Sequence, residues 1–494
     1  MSSKSGQLSR TLREISGHSL VYSIASLSSS AASILLLPIY TRFLSPSDYG
    51  VLEVLDHTNT ILSLFIVAGL NSAIPRFVSD SESEAERCKV ISTVTCFCVI
   101  SAFLLLILAI ILSESLSFLI LGNTDYRQYI VLNSFLLWAQ VVLYVSGLSF
   151  IARKESKIYL FYMLVRLTIC AIGNVYLVAI LHWGVSGMLY GNLIGFGLIG
   201  FVMGVHNARR NGYGISFPVL MRVLKFSVPL VPAMLLATVM HNADRFLIRV
   251  YCSMEDVGIY GLGYKFPFML NLLVLQSFSL IWTGATMYEV SKAPDAADQY
   301  GRITTYVVGF YLFAQLTLSL LSVPIVRLLA APQFFPAHQV VPLVSMGLCV
   351  HAFYFFFSVG PFLKGSTWLL NLSYLPAALF NIFGNIVFLP GYGFMAAAWV
   401  TILTYIVFIV ALYFSCKHLT VINYEFRRLG TMFGSSVAIL LISSTFVLDS
   451  IVLELAKGVT LVVLFLISLV LSGWLTDGEK TFLRERYWAL LRTH

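Results

Sequence analysis

The stretch LKFSVPLVPAMLLATVMHNADRFLIRVYCSMEDVGIYGLGYKFPFMLNLLVLQSFSLIWTGAT (224–286) is long enough to cross a lipid bilayer twice, at about 20 residues per crossing. It turns between the crossings at SMEDVG (253–258) and carries Asp244, Arg245, Arg249 and Lys265 within or beside its apolar runs. An ionisable group at bilayer depth costs roughly 2.5 to 3.5 kcal/mol on insertion scales, so it faces a partner, a wet cavity or a substrate path. The turn has a counterpart: Ser45, Asp48 and Gly50 of SPSDYG precede Ser253, Asp256 and Gly258 by a constant 208 residues. Asn174, Gly184 and Met188 return 207 residues later as Asn381, Gly391 and Met395, and Lys157 returns as Lys364. Several matches at one period indicate a duplicated unit of about 200 residues. Many secondary transporters are built from such repeats, with the substrate path between the halves.

Composition puts this unit in a membrane. Of the 494 residues, 58% are hydrophobic and 11% charged, where soluble domains carry about a quarter charged. The 37 Phe, 25 Tyr and 7 Trp suit rings that anchor helix ends at the interface. Seven Cys are scattered without a CxxC spacing, and Cys96 and Cys98 point to different sides of one helix. They read as small apolar helix residues rather than metal or disulfide partners. The first 16 residues are polar and no small-residue cleavage pattern follows the first apolar run, so that run reads as a retained helix. The nearest approach to a phosphate-binding GxxxxGK[ST] loop, GPFLKGST (360–367), has the wrong order and spacing, which excludes ATP as the direct drive.

Apolar runs give fourteen expected spans, at about 18–40, 50–73, 90–112, 128–150, 158–181, 185–206, 224–249, 257–284, 303–328, 338–361, 366–389, 393–415, 430–448 and 457–475. With both termini inside, 23 Lys and Arg fall in inside segments and 4 in outside loops, an asymmetry that orients the chain. It also accounts for the net charge of +8 without nucleic acid. The repeat maps spans 1–6 onto 7–12 and leaves 13 and 14 appended. The expected division is an inside N-terminal segment (1–17), an N-lobe of helices 1–6 (18–206), an inside linker (207–223), a C-lobe of helices 7–12 (224–415), helices 13–14 (416–475) and an inside tail (476–494). Segments outside the membrane are too short for a folded soluble domain.

Spans 1 and 7 end in Arg42 and in Arg245 with Arg249, and spans 2 and 8 carry His57 and Lys265 at matching positions. These groups either face a shared cationic cavity or act locally, with Arg245 clasping Asp244 or Glu255 and the others snorkelling to the interface. Arg166 lies about 12 Å into span 5 at 1.5 Å per residue, too deep for easy snorkelling, and needs a carboxylate, a phosphate or water. Glu53 and His57, one turn apart, with Asp56 beside them, form either a proton or cation relay or structural partners of the arginines. His351 reads more readily as a helix–helix hydrogen bonder. The acidic stretch SDSESEAERCK (79–89) reads as a solvated inner turn.

PIYTRFLSPSDYG (38–50), SVPLVP (227–232), ADRFLI (243–248), DVGIYGLGYK (256–265) and GYGFMAAAWVT (391–401) resemble the polysaccharide transporter (Wzx-type flippase) family of the multidrug/oligosaccharidyl-lipid/polysaccharide (MOP) exporter superfamily. The resemblance implies an all-α, polytopic fold of about 14 transmembrane helices: two pseudo-symmetric six-helix lobes, MATE-like, around a central cavity, plus two C-terminal helices. It implies a flippase, not an enzyme, that moves undecaprenyl-diphosphate-linked oligosaccharide repeat units from the inner to the outer leaflet of a bacterial cytoplasmic (inner) membrane, in which the charge asymmetry puts both termini on the cytoplasmic side. Its expected partners are the lipid-linked substrate, membrane lipids, H+ or Na+, and the polysaccharide polymerase and chain-length machinery, with no cofactor and no metal. Lys364 stands where the family often has a KTK-like run, which makes it an inner-gate candidate. Arg245, Lys265, Arg166, Arg249 and Arg42 are the expected substrate-binding cations, and His57, Glu53, Asp56 and Asp244 the coupling candidates. A cation-coupled exporter of small molecules would instead show an acidic cavity, and a membrane glycan polymerase or transferase an activating carboxylate in a sizeable loop.

Overall fold

A computed structural model of the chain describes residue 28 and residues 31–67, 69–446, 448 and 450–474, and in these every regular element is a helix. The segments expected at 1–17 and 476–494, and part of the first span, lie outside the described residues. Twelve of the described helices are long and apolar enough to cross a membrane, so the protein is an all-α, polytopic membrane protein. The span expected at 430–448 is also a helix, Phe426–Ser444, rich in Gly, Ser and Thr and outside those twelve. Seven helices position the site: α1 (Pro46–Val67), α2 (Glu84–Ile111), α3 (Arg127–Ala152), α4 (Ser156–Asn174), α5 (Gly184–Asn211), α6 (Val231–Tyr251) and α7 (Met254–Asn271).

The sequence repeat is a structural repeat at the starts of α1 and α7. The Ser45 amide and hydroxyl donate to Asp48 Oδ2 at 3.0 and 2.8 Å, and the Asp48 amide donates back to Ser45 Oγ at 3.1 Å. Ser253 and Asp256 repeat the arrangement at 3.1, 2.7 and 3.1 Å. Each is a reciprocal cap that satisfies amides the first helical turn leaves over. One turn later come Gly50 and Gly258, and there the two helices cross backbone to backbone. A Cβ on Gly50 would overlap the Met254 carbonyl and come within 3.1 Å of the Gly258 nitrogen; one on Gly258 would overlap the Pro46 carbonyl and come within 3.0 Å of the Gly50 nitrogen.

The acidic stretch differs from its expected form. Ser79 and Asp80 end the helix Leu70–Asp80 and only residues 81–83 turn; from Glu84 it is the first turns of α2, with Ser83 as N-cap accepting from the Glu86 amide at 3.2 Å. Two of its acids are paired with distant arginines, Glu84 with Arg153 and Glu86 with Arg222. The S-x-x-E order of a capping box at 83–86 is the signal for this start.

The chain packs as two units. One comprises the chain up to Leu262 with Leu329–Phe334 and Asn371–Thr404. Its α5 carries Gly187, Gly191 and Gly195 at four-residue spacing; Gly191 and Gly195 face α4, where a Cβ would overlap the Asn174 side-chain oxygen and the Cys170 sulfur, and Gly187 faces Leu177 just beyond it. Small residues at this spacing let membrane helices approach closely. A second core lies among α2, α3 and the helix Leu70–Asp80, built on Val90, Val94, Leu70, Ile74 and Val141. The other unit comprises Gly263–Leu328, Phe335–Leu370 and the chain from Tyr405. In it Ala296–Leu320 packs against Val340–His351, Phe426–Ser444 and Ile451–Leu471. Trp282 is wholly buried there, donating Nε1–H to the Phe355 carbonyl at 3.0 Å.

Candidate functional site

Within the first unit, α1, α3, α4, α5 and α6 enclose a cavity of about 530 Å3. Helical spacing builds its walls. On α1 the positions Asp56, Asn59, Thr60, Ser63, Leu64 and Val67 recur at three- and four-residue steps, which puts them on one face. From α3 come Gln140 and Tyr144, from α4 Tyr159 and Arg166, from α5 Phe196 and from α6 Met234. Arg166 sits ten residues into α4, about 15 Å along it at 1.5 Å per residue.

Two contacts fix the polar wall. Asn59 and Asn133 exchange amide hydrogen bonds at 2.9 and 2.8 Å, and Asn59 Nδ2 also reaches Gln140 Oε1 at 3.4 Å. This pair holds the Asn59 amide in one orientation against the cavity. The Arg166 guanidinium lies over the Phe196 ring with its central carbon 4.5 Å from the ring centroid, a cation–π contact that turns a planar fork of donors across the ring. The cavity thus combines one guanidinium, one carboxylate, two amides, hydroxyls and aromatic faces in an otherwise apolar chamber. Such a set suits an amphipathic ligand with an anionic group and many hydroxyls.

The other expected site residues are placed differently. Asp244 and Arg245 are a buried clasp: Arg245 Nη1 donates to Asp244 Oδ1 at 2.6 Å and to the His241 carbonyl at 3.0 Å, and the Tyr260 hydroxyl donates to Asp244 Oδ2 at 2.6 Å. Neither is among the residues lining the cavity. Arg249 donates to the Phe118 carbonyl at 2.8 Å and packs on Gly122, whose φ of +81° ends the helix Ser113–Leu121. It therefore acts as a cationic cap at the negative end of that helix. Arg42 is exposed in the last turn of Leu37–Phe43. Glu53 and His57 face each other at 3.4 Å, and Glu53 packs onto Gly261 and is not among the cavity-lining residues, while Asp56 is. Lys265 is half-buried on α7, Lys364 is exposed at the end of Val359–Lys364, and His351 lies among the rings of Tyr354, Tyr405 and Phe408.

Of the residues singled out from the sequence, Arg166 and Asp56 line this cavity; its other polar and aromatic lining, Asn59, Gln140, Tyr144, Tyr159 and Phe196, was not singled out. A signal existed for the amides. Asn133 and Gln140 are two turns apart on α3, and Asn59 follows Asp56 by three, so each helix carries its polar groups on one face.

Truncating the clasp should affect folding before transport. Arg245→Ala leaves a buried Asp244 without its charge partner, a loss of about 3–5 kcal/mol, whereas the neutral pair Asp244→Asn/Arg245→Gln should recover most of it. Thermal unfolding of the detergent-purified variants is the check; an unchanged midpoint for Arg245→Ala would deny the clasp its structural role.

Comparison with known proteins agrees with this architecture. Residues 39–338 match the family described as polysaccharide biosynthesis protein. No curated protein matches the chain in sequence. Among solved structures, the lipid II flippase MurJ in an inward closed conformation is similar at 16% identity and a TM-score of 0.73, over 90% of this chain and 98% of that one. An inward-facing multidrug resistance MATE family transporter of the MOP superfamily is similar at 12% identity and a TM-score of 0.64, over 80% and 97%. A MOP superfamily transporter from Pyrococcus furiosus Vc1, with a binding pocket of reverse polarity, is similar at 13% identity and 0.54, over 81% and 95%. At such identities the likeness is one of fold. With more than half of its length matched, the chain belongs to the polysaccharide biosynthesis protein family, and its fold is similar to those of the MurJ flippase and the MATE family transporter.

Proposed function

We propose that the protein moves undecaprenyl-diphosphate-linked oligosaccharide repeat units from the inner to the outer leaflet of the bacterial cytoplasmic membrane, by alternating access driven by an ion gradient or the membrane potential. One observation carries the reading: in a member of a polysaccharide biosynthesis family, a cavity among membrane-spanning helices holds Arg166 together with Asp56, Asn59 and Gln140. A diphosphate loses its hydration on leaving water, and a guanidinium offsets that loss with charge-assisted, forked hydrogen bonds. The amides, the carboxylate and the rings of Tyr144, Tyr159 and Phe196 suit sugar hydroxyls and the apolar faces of sugar rings. Arg166 is the anion site of this proposal in preference to Arg245, because Arg166 lines the cavity and Arg245 does not; Lys265, on α7, stays a separate candidate cation. Asp56 and the Glu53–His57 pair are the coupling candidates, and Lys364 the inner gate. The flippase and transporters of like fold favour transport over a polymerase or transferase.

Asp56 also favours a second reading, a cation-coupled exporter of small molecules, since a carboxylate in the cavity suits a cationic cargo. Deletion of the gene separates the two. The flippase reading expects undecaprenyl-linked glycan units trapped on the inner leaflet and the surface polysaccharide lost. Normal surface polysaccharide with increased sensitivity to cationic drugs would give the site to the second reading.

A further inference from the structure

A second cavity of the same unit, about 370 Å3, lies between α2, α3 and α5. Its wall is apolar for most of its length, with Val99 and Ile100 of α2, Val142 of α3 and Phe201 of α5. Glycines make the room. A Cβ on Gly197 would meet nothing within 4 Å, and one on Gly204 only Val142 Cγ1 at 3.6 Å and Ser146 Oγ at 3.9 Å. Two donors in this wall have no hydrogen-bond partner among the described residues. Ser146 is 0% exposed and its hydroxyl makes no hydrogen bond, and the Trp138 indole N–H, also in the wall, makes none. A buried donor left unsatisfied costs about 1–3 kcal/mol, so the wall asks for a ligand that brings an acceptor oxygen to Ser146.

One end of the groove is charged. It closes on Ser92, Thr95, Asn207 and Gly212, and there Lys89 and Arg209 are exposed. Lys89 is three residues before Ser92 and seven before Cys96 on α2, and Arg209 is four after Val205 and eight after Phe201 on α5, so each shares its helix face with the groove lining. The order along the groove is therefore two cations, then a buried hydroxyl, then an apolar channel. We infer that this groove holds one anionic glycerophospholipid of the surrounding bilayer, its phosphate at Lys89 and Arg209, an ester carbonyl accepting from Ser146, and an acyl chain along Gly204 and Gly197. A polyprenyl chain has no oxygen to offer Ser146. The inference needs only the membrane-spanning fold and is independent of the substrate in the larger cavity.

Native mass spectrometry of the full-length protein in mild detergent tests this, with phosphatidylglycerol, its diether analogue, phosphatidylethanolamine and undecaprenyl phosphate added in turn. Wild type should retain one phosphatidylglycerol in preference to each of the others. Gly204→Leu and Gly197→Leu, which fill the channel, should each lower retention about tenfold by removing a chain-sized apolar contact. Ser146→Ala should lower retention of the ester lipid about fivefold, the effect of one hydrogen bond, and leave the diether lipid unchanged. It deletes a single oxygen, so it decides the matter even where a leucine variant fails to fold. Lys89→Gln/Arg209→Gln should abolish the preference for phosphatidylglycerol over phosphatidylethanolamine. Equal retention of ester and diether lipid by wild type, full retention by a folded Gly204→Leu, or stronger retention of undecaprenyl phosphate would overturn the assignment.

Discussion

Arg166→Gln is expected to cut transport about 10- to 100-fold while the protein still inserts and folds, because it removes charge-assisted hydrogen bonds to the substrate that contribute about 1.5–3 kcal/mol. Gln keeps a polar head but neither the charge nor the fork. Arg166→Lys should recover part of the activity, since an ammonium supplies the charge as a point and cannot grip two phosphate oxygens in one plane. The Phe196 ring under the guanidinium sharpens the comparison. Phe196→Leu keeps the charge and removes the ring that holds the guanidinium flat, so its loss should be smaller than that of Arg166→Gln. The measurement is surface polysaccharide restored in a deletion strain by each variant, normalised to membrane-inserted protein. Full activity of Arg166→Gln would remove this cavity from the substrate path.

The second large effect is steric. Gly258→Ala and Gly50→Ala should each destabilise the protein by about 3 kcal/mol, the upper end for overpacking, although Ala is the better helix former by roughly 1 kcal/mol. The reason is the atom that the new methyl meets. At Gly258 it is the Pro46 carbonyl and at Gly50 the Met254 carbonyl, both backbone atoms that no side-chain rotation can move. Gly197→Ala is the matched control, because a Cβ there meets nothing within 4 Å, and it should be neutral or slightly stabilising. Thermal unfolding of the three variants in one detergent gives the answer. A Gly258→Ala protein as stable as Gly197→Ala would mean that α1 and α7 do not need their close crossing.

Both residues of that crossing were legible in the sequence as a repeat, for a physical reason. A reciprocal Ser–Asp cap followed by a helix that must approach its twin needs Ser, Asp and Gly at fixed offsets, and duplication stamps the same offsets twice. The depth of Arg166 was legible too, since a cation about 12 Å into an apolar span is too far in for easy snorkelling. The fate of Arg245 was not. Its neighbour Asp244 appears in the sequence as one choice among several, and the choice was made by Tyr260, sixteen residues away, whose hydroxyl satisfies the second carboxylate oxygen and so completes a buried pair. Glu53 and Asp56 show the same limit, for a turn of three residues separates a group packed on Gly261 from one lining the cavity.

The sequence by itself determined that the chain is a helical, repeated, multi-spanning membrane protein and which ionisable groups stand within its apolar runs. These follow from composition, from the period of the repeat and from the position of a charge along an apolar run, none of which depends on how the helices pack. Only the tertiary structure decided which of those groups share a cavity. The Asn59–Asn133 pair spans 74 residues, and Arg166 meets Phe196 from the next helix. Such contacts depend on the rotation of each helix about its axis, which is set by how glycine faces such as Gly187, Gly191 and Gly195 seat against their neighbours. A one-dimensional pattern specifies the faces of a helix, and packing alone specifies what each face meets.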